Sequence, residues 1–133
     1  MADTSKVINS SDIAPNRNRG GEIRVTLSQR TVGATSGFGG SLRLEPGDYV
    51  SEHYHPYSEE FVHVIQGDLE LRVEGEPFPL GPDDSFLVPI GQRHRLANVG
   101  DSTAHVIFHL SPLAPRPDLG HVDTEPLPSA GDR

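Results

Sequence analysis

Cysteine is absent from this chain, so no disulfide can hold the fold together. Long apolar runs are absent too: no window approaches the roughly 18 consecutive apolar residues of a membrane span. The opening Met1-Ala2-Asp3-Thr4-Ser5-Lys6 has neither the basic start nor the apolar stretch of a secretory signal. These absences lead to the expectation of a cytoplasmic protein with no membrane partner. Positive charge is scarce as well. With 11 basic against 19 acidic residues the net charge is −8, which repels a polyanion and argues against a nucleic-acid partner. Lys6, Arg17, Arg19, Arg24 and Arg30 crowd into the N-terminal segment, where they read as a solvated arm or a local binding patch. Helical periodicity is also missing, since 12 prolines and 14 glycines interrupt the chain and no long stretch repeats apolar residues every 3.6 positions.

What is present is short alternation. Ile23, Val25 and Leu27 alternate with polar residues, as do Leu42 and Leu44, then Leu69, Leu71 and Val73. Turn signals separate these segments, among them Glu45-Pro46-Gly47-Asp48, Gln66-Gly67-Asp68, Glu74-Gly75-Glu76-Pro77 and Gly81-Pro82-Asp83-Asp84. Strands are expected at 22–28, 37–44, 49–55, 60–66, 68–74, 78–80, 85–88, 93–99 and 103–110. That pattern predicts an all-β sandwich or barrel in one domain. Residues 1–20 read as an N-terminal arm, 21–110 as the barrel, and the proline-rich 111–133 as a C-terminal tail.

The most informative stretch is Gly47 to Glu60. His53 and His55 stand two apart, which on a strand puts both imidazoles on one face, the minimum needed to grip an ion. Glu60 opens the next strand, and His94 begins a later one in which Leu96 and Asn98 share its face. Glu59 competes with Glu60 for the carboxylate role. If Glu60 points inward, alternation sends Val62 and Val64 inward and turns Phe61, His63 and Ile65 outward, so His63 is not expected to be a ligand. His105 and His109 share one face of the last strand, and Ala104, Val106, Phe108 and Leu110 the other. Either face could look into the barrel, which keeps His109 open as an extra ligand or an acid/base group. His121 falls in the tail and receives no role.

Here the sequence resembles the cupin superfamily. The first motif of that family runs Gly, five residues, His-x-His, three or four residues, Glu, six residues, Gly; Gly47, His53, His55, Glu60 and Gly67 match it without a gap. The second runs Gly, five residues, Pro-x-Gly, two residues, His, three residues, Asn; Pro89, Gly91, His94 and Asn98 match. The departure is Asp83 at the first Gly, and Asp tolerates a left-handed backbone better than most residues. The resemblance implies a single cupin (double-stranded β-helix, or jelly-roll) barrel. It also implies one divalent ion on His53, His55, Glu60 and His94, zinc first, with iron, nickel or manganese as alternatives.

A longer likeness covers Pro15 to Glu22, Ser28 to Phe38, Ser51 to Phe61 and Phe108 to Pro117. These segments are similar to the small cupins of bacterial aromatic polyketide pathways, of the tetracenomycin, curamycin and resistomycin types. The implied activity is a metal-dependent polyketide cyclase that performs aldol-type ring closure and aromatisation of a poly-β-ketone. The alternatives are an iron-dependent oxygenase acting on an aromatic intermediate and a non-catalytic polyketide-binding protein. A metal holding one carbonyl would stabilise an enolate, with Glu59, His109 or a hydroxide on the metal as the base. Phe38, Val62, Val64, Phe86, Val88, Leu96 and Phe108 are possible apolar walls. Tyr49, Tyr54 and Tyr57 flank the ligands as possible donors, and Arg43 and Arg95 could orient a polar substrate. A substrate delivered by an acidic acyl carrier protein would need the basic N-terminal segment. A homodimer is expected, with that arm lying on the partner subunit.

Overall fold

The computed structural model describes residues 6–128. Ten strands carry the architecture: β1 (Glu22–Leu27), β2 (Phe38–Leu44), β3 (Tyr49–Tyr54), β4 (Glu59–Gln66), β5 (Leu69–Val73), β6 (Glu76–Leu80), β7 (Ser85–Val88), β8 (His94–Asn98), β9 (Ala104–Ser111) and β10 (Val122–Asp123). A single helical turn, α1 (Gln29–Val32), follows β1, capped by the Ser28 hydroxyl on the Thr31 N–H. The strands form two antiparallel five-stranded sheets, ordered β1-β2-β9-β4-β7 and β10-β3-β8-β5-β6. Most central neighbours are far apart in sequence, as a rolled sandwich requires. Among the described residues, no helix is long and apolar enough to cross a membrane.

The nine expected strands all occur, most within two residues of their expected limits. Alternation sets the inner faces. In β9, Ala104, Val106 and Leu110 are buried while Ile107 and His109 are exposed; in β8, His94, Leu96 and Asn98 are all buried. The core packs Leu42, Leu44, Val64, Ala104 and Val106 of one sheet against Val50, Leu69, Leu71, Val73 and Leu96 of the other. Asp83 sits at φ 71°, so this aspartate adopts the left-handed turn that the glycine of the motif would otherwise supply.

The registers give the sandwich two different ends. On one sheet, Glu60 lies beside Leu110, which lies beside Phe38; Val62 lies beside Phe108, and Leu44 beside Ala104. On the other, His94 lies beside His53 and Val73, Leu96 beside Val50 and Leu71, and Asn98 beside Leu69. The Asn98 amide donates to the Leu44 carbonyl at 2.8 Å and to the Ser102 carbonyl at 2.9 Å, and fastens the sheets together there. Glu60 and the histidines occupy the opposite end, with the apolar core between.

The terminal segments are not free. Asn16 pairs with Ile23, Arg24 donates to the Ile13 carbonyl at 3.1 Å, and Arg19 reaches Asp123 at 3.3 Å, so the described part of the N-terminal segment lies on its own barrel. The expected tail likewise returns, as β10, to pair with Tyr54 and His53 of β3. Five prolines between 112 and 128 conceal this, and two residues of strand are too few to show a period.

Asn98→Ala should weaken the domain by about 1–3 kcal/mol for each carbonyl left unpaired, without altering metal content, since Asn98 is at the far end from the histidines. Urea unfolding beside metal analysis measures both.

Candidate metal centre

A bulge in β3 aims the ligands. Val50 lies opposite Leu96, yet His53 lies opposite His94, so three residues of β3 span two of β8. Without the extra residue, the inward parity of Val50 would pass to Glu52 and Tyr54 and the histidines would face solvent. The bulge leaves backbone N–H groups without ladder partners. Both terminal segments satisfy them: Ser51 donates to the Arg19 carbonyl at 3.4 Å, and Glu52 donates to the Glu125 carboxylate at 2.6 Å.

His53, His55, Glu60 and His94 each offer one ligand atom, and these atoms all lie within 4.8 Å of one another. The ring orientations fit a metal. Nδ1 of His53 donates to the Ser51 carbonyl at 2.8 Å, Nδ1 of His94 to the Gln92 carbonyl at 3.0 Å, and Nδ1 of His55 to the Gly120 carbonyl at 3.0 Å. With each Nδ1 so engaged, Nε2 is the atom left to ligate. The Nε2 of His55 is buried with no hydrogen-bond partner; Glu60 Oε1 lies 3.7 Å away, too far for one. Leaving a buried polar atom unpaired costs free energy that a bound ion would recover. This donor set suits zinc, iron, nickel or manganese, and the geometry does not choose among them.

The charges support the same picture. Burial, with His94 and His121 nearby, lowers the His53 pKa to about 2, so this ring is neutral and free to ligate. Burial also opposes ionisation of Glu60, but the imidazoles of His55 and His94 outweigh it and hold the carboxyl below its ordinary range. His94 is disfavoured as a cation by burial, yet its hydrogen bond to Glu60, 3.0 Å from Nε2 to Oε1, raises its pKa. Glu60 thus holds a proton on the very nitrogen a metal would use.

Other candidates separate by face. Phe38, Val62 and Phe108 point inward in the rows that begin at Glu60, together with Phe86. Several others require correction. Glu59 precedes the inward Glu60 and so takes the outer face, and His109 lies outside against Phe61, with ring centroids 6.1 Å apart. Neither proposed base reaches the site, because strand alternation forbids it. Arg43 is exposed on the outer face of β2. Arg95 lies outside on β8, 4.0 Å over the Tyr49 ring, while Tyr54 takes the outward parity opposite His53 and His55. Tyr57 stands largely exposed in the β3–β4 turn. His63 is outward, as expected, and bonds Ser85 at 2.7 Å.

The sequence reading missed His121. Its ring stacks on that of His53, centroids 4.4 Å apart and planes 6° from parallel, and its Nε2 donates to Asp123 at 2.7 Å. The alternation His121-Val122-Asp123 was the available signal, but it is too short to stand out among the prolines.

His94→Ala should bring metal content from one ion per chain toward none while the barrel stays folded, as metal analysis beside circular dichroism would show. The metal-free His94–Glu60 pair adds stability that is fully present between the ordinary values of 4.5 and 6.5. That stability fades as the pH rises through the raised His94 value, or falls through the lowered Glu60 value. Metal uptake must displace the His94 proton, so proton release should grow, and affinity decline, as the pH is lowered through the His94 value. Calorimetry in buffers of different ionisation enthalpy counts the protons.

The chain is similar to known proteins in sequence and in fold. "Polyketide synthase CurC" of Streptomyces cyaneus is 58% identical over 120 residues, which are 90% of this chain and 78% of the relative. "Tetracenomycin polyketide synthase protein TcmJ" of Streptomyces glaucescens is 50% identical over 129 residues, 97% of this chain and 86% of the relative. Among solved structures, a predicted oxalate decarboxylase of Thermotoga maritima superposes with a TM-score of 0.71 at 23% identity, over 81% of this chain and 100% of that one, a likeness of fold alone. The model of the cupin domain matches residues 40–110, the two motifs included, and the chain belongs to the cupin family.

Proposed function

We propose that this protein is a metal-dependent polyketide cyclase, closing and aromatising a ring of a poly-β-ketone by aldol-type condensation. The observation that carries this reading is the convergence of His53, His55, Glu60 and His94 at one end of the barrel, next to the inward apolar row of Val62, Phe86 and Phe108. Relatives named for polyketide synthesis over most of this chain support the substrate class. A divalent ion there, zinc in this proposal, supplies Lewis-acid polarisation of a substrate carbonyl oxygen.

The chain's own residues do the rest. The three imidazoles are fixed through Nδ1, so they need no rearrangement to receive the ion. Phe38, Phe86 and Phe108 are half-buried, which leaves aromatic surface at the active end to fold a flexible chain into one register and exclude water. Tyr57 lies at the rim of the same end, in the turn between His55 and Glu60. An anaerobic assay with a free poly-β-ketone analogue tests the activity. Turnover should persist without oxygen, stop on chelation and fall at least tenfold in Phe108→Ala. A requirement for oxygen would instead favour an iron oxygenase, and no turnover at all a binding protein.

Delivery by an acidic acyl carrier protein belongs to the same proposal. Arg19 and Arg24 are engaged within the chain by Asp123 and Glu22, while Arg17 is mostly exposed despite its pairing with Glu22, and Arg30 is exposed. Reversing Arg17 and Arg30 should slow turnover of carrier-bound substrate and spare the free analogue, with the difference shrinking at high salt.

The proposal also includes a cytoplasmic homodimer. Phe61, Leu87, Ile107 and His109 line an apolar outer groove of about 370 Å³, which suits burial against a second copy. Sedimentation at micromolar concentration should give a dimer, and Ile107→Glu a monomer.

A further inference from the structure

The three ligand histidines are not held in the same way. His53 and His94 take their Nδ1 acceptors from the same strand region, two residues earlier, at Ser51 and Gln92. His55 takes its acceptor from Gly120, 65 residues away and outside the barrel strands that carry the ligands. Residue 121, next in the chain, lays its imidazole flat on His53 and edge-on to His55, at 4.4 and 5.4 Å between centroids. The site is therefore completed by a segment that the motifs do not include.

That segment is fastened away from the ligands. Asp123 receives the Nε2–H of His121 at 2.7 Å and Arg19 at 3.3 Å. Thr124 donates its backbone N–H to the Glu52 carbonyl at 3.0 Å. Glu125 accepts from the Glu52 N–H at 2.6 Å and from Arg95 at 3.1 Å. These anchors lie on the edge of β3 and at its bulge, where the two-residue β10, itself part of this segment, is the neighbouring strand.

We propose that residues 120–125 form a docked strap that positions His53 and His55, with Gly120 and His121 as its working parts and Asp123 and Thr124 as its anchors. An imidazole that ligates through Nε2 keeps one rotation about its side-chain bond, and an acceptor at Nδ1 fixes that rotation. Removing such an acceptor typically weakens metal binding about 10- to 100-fold. The coupling is reciprocal: a metal that binds the positioned rings more tightly must stabilise docking of the strap by the same factor. The inference rests on the metal-centre reading but concerns residues no ligand motif contains.

Cobalt(II) titration of the full-length protein, followed by its visible absorption, tests it. Thr124→Pro removes the N–H that ties the strap to Glu52, and Asp123→Ala frees His121; neither alters a ligand. Each should bind cobalt at least about tenfold more weakly than the parent and show an altered cobalt spectrum, while Arg43→Ala, at an exposed position on β2 of the opposite sheet, should match the parent. Amide exchange at residues 121–123 should slow when the parent protein is loaded with metal and quicken in both strap variants. Cobalt affinities within twofold of the parent in folded variants with quickened exchange would overturn the strap and leave the metal centre standing. Failure of the parent to take up cobalt would overturn the metal reading and this proposal with it.

Discussion

The site depends on two backbone N–H groups. At Ser51 and Glu52 the ladder between β3 and β8 slips by one residue, and that slip turns His53 and His55 toward Glu60 and His94. A bulge costs ladder hydrogen bonds, so it persists only where other groups take up its donors. Here the acceptors come from both terminal segments, the Arg19 carbonyl and the Glu125 carboxylate. The parts that read as an arm and a tail are therefore those that keep the His53- and His55-bearing strand in its register.

This arrangement also shapes the electrostatics. Four polar groups sit close together in a buried space, three of them able to carry positive charge. The molecule avoids repulsion by keeping His53 neutral and sharing a single proton between His94 and Glu60. Without an ion, Glu60 is the only negative charge within the four. With one, the same carboxylate can neutralise part of the ion's charge, so its placement serves both states.

Much of this was legible in the sequence because it follows from local periodicity and spacing. Alternation in β4 and β9 fixes which side chains meet, and His-x-His, a glutamate after the turn and the inward His94 of β8 bring four candidate ligands to one place. Asp83 could be read as a left-handed turn residue from its chemistry. What could not be read depends on contacts between distant segments. Both faces of β9 carry histidine or apolar residues, so only the packed structure shows that His109 is outside. Glu59 and Glu60 differ by one position, and parity alone separates them once the inward face is known. Arg43 and Arg95 are ordinary strand arginines whose outward direction no charge count reveals. The role of His121 depends on a return of the chain across 65 residues between Gly120 and His55, for which no local pattern exists.

The two ends of the sandwich have a consequence for how such a chain can change over time. At the Asn98 end, Leu44, Val64 and Ala104 are fully enclosed, and any change in volume there disturbs close packing. At the Glu60 end, Phe38, Phe86 and Phe108 are only half-enclosed, so replacing one alters the shape presented to a ligand more than it disturbs the interior. Cohesion and selectivity are thus assigned to different layers of the same barrel. Mutational drift can remodel the mouth while the sealed layers and the His53, His55, Glu60 and His94 cluster stay fixed, which allows one framework to present openings of different shape.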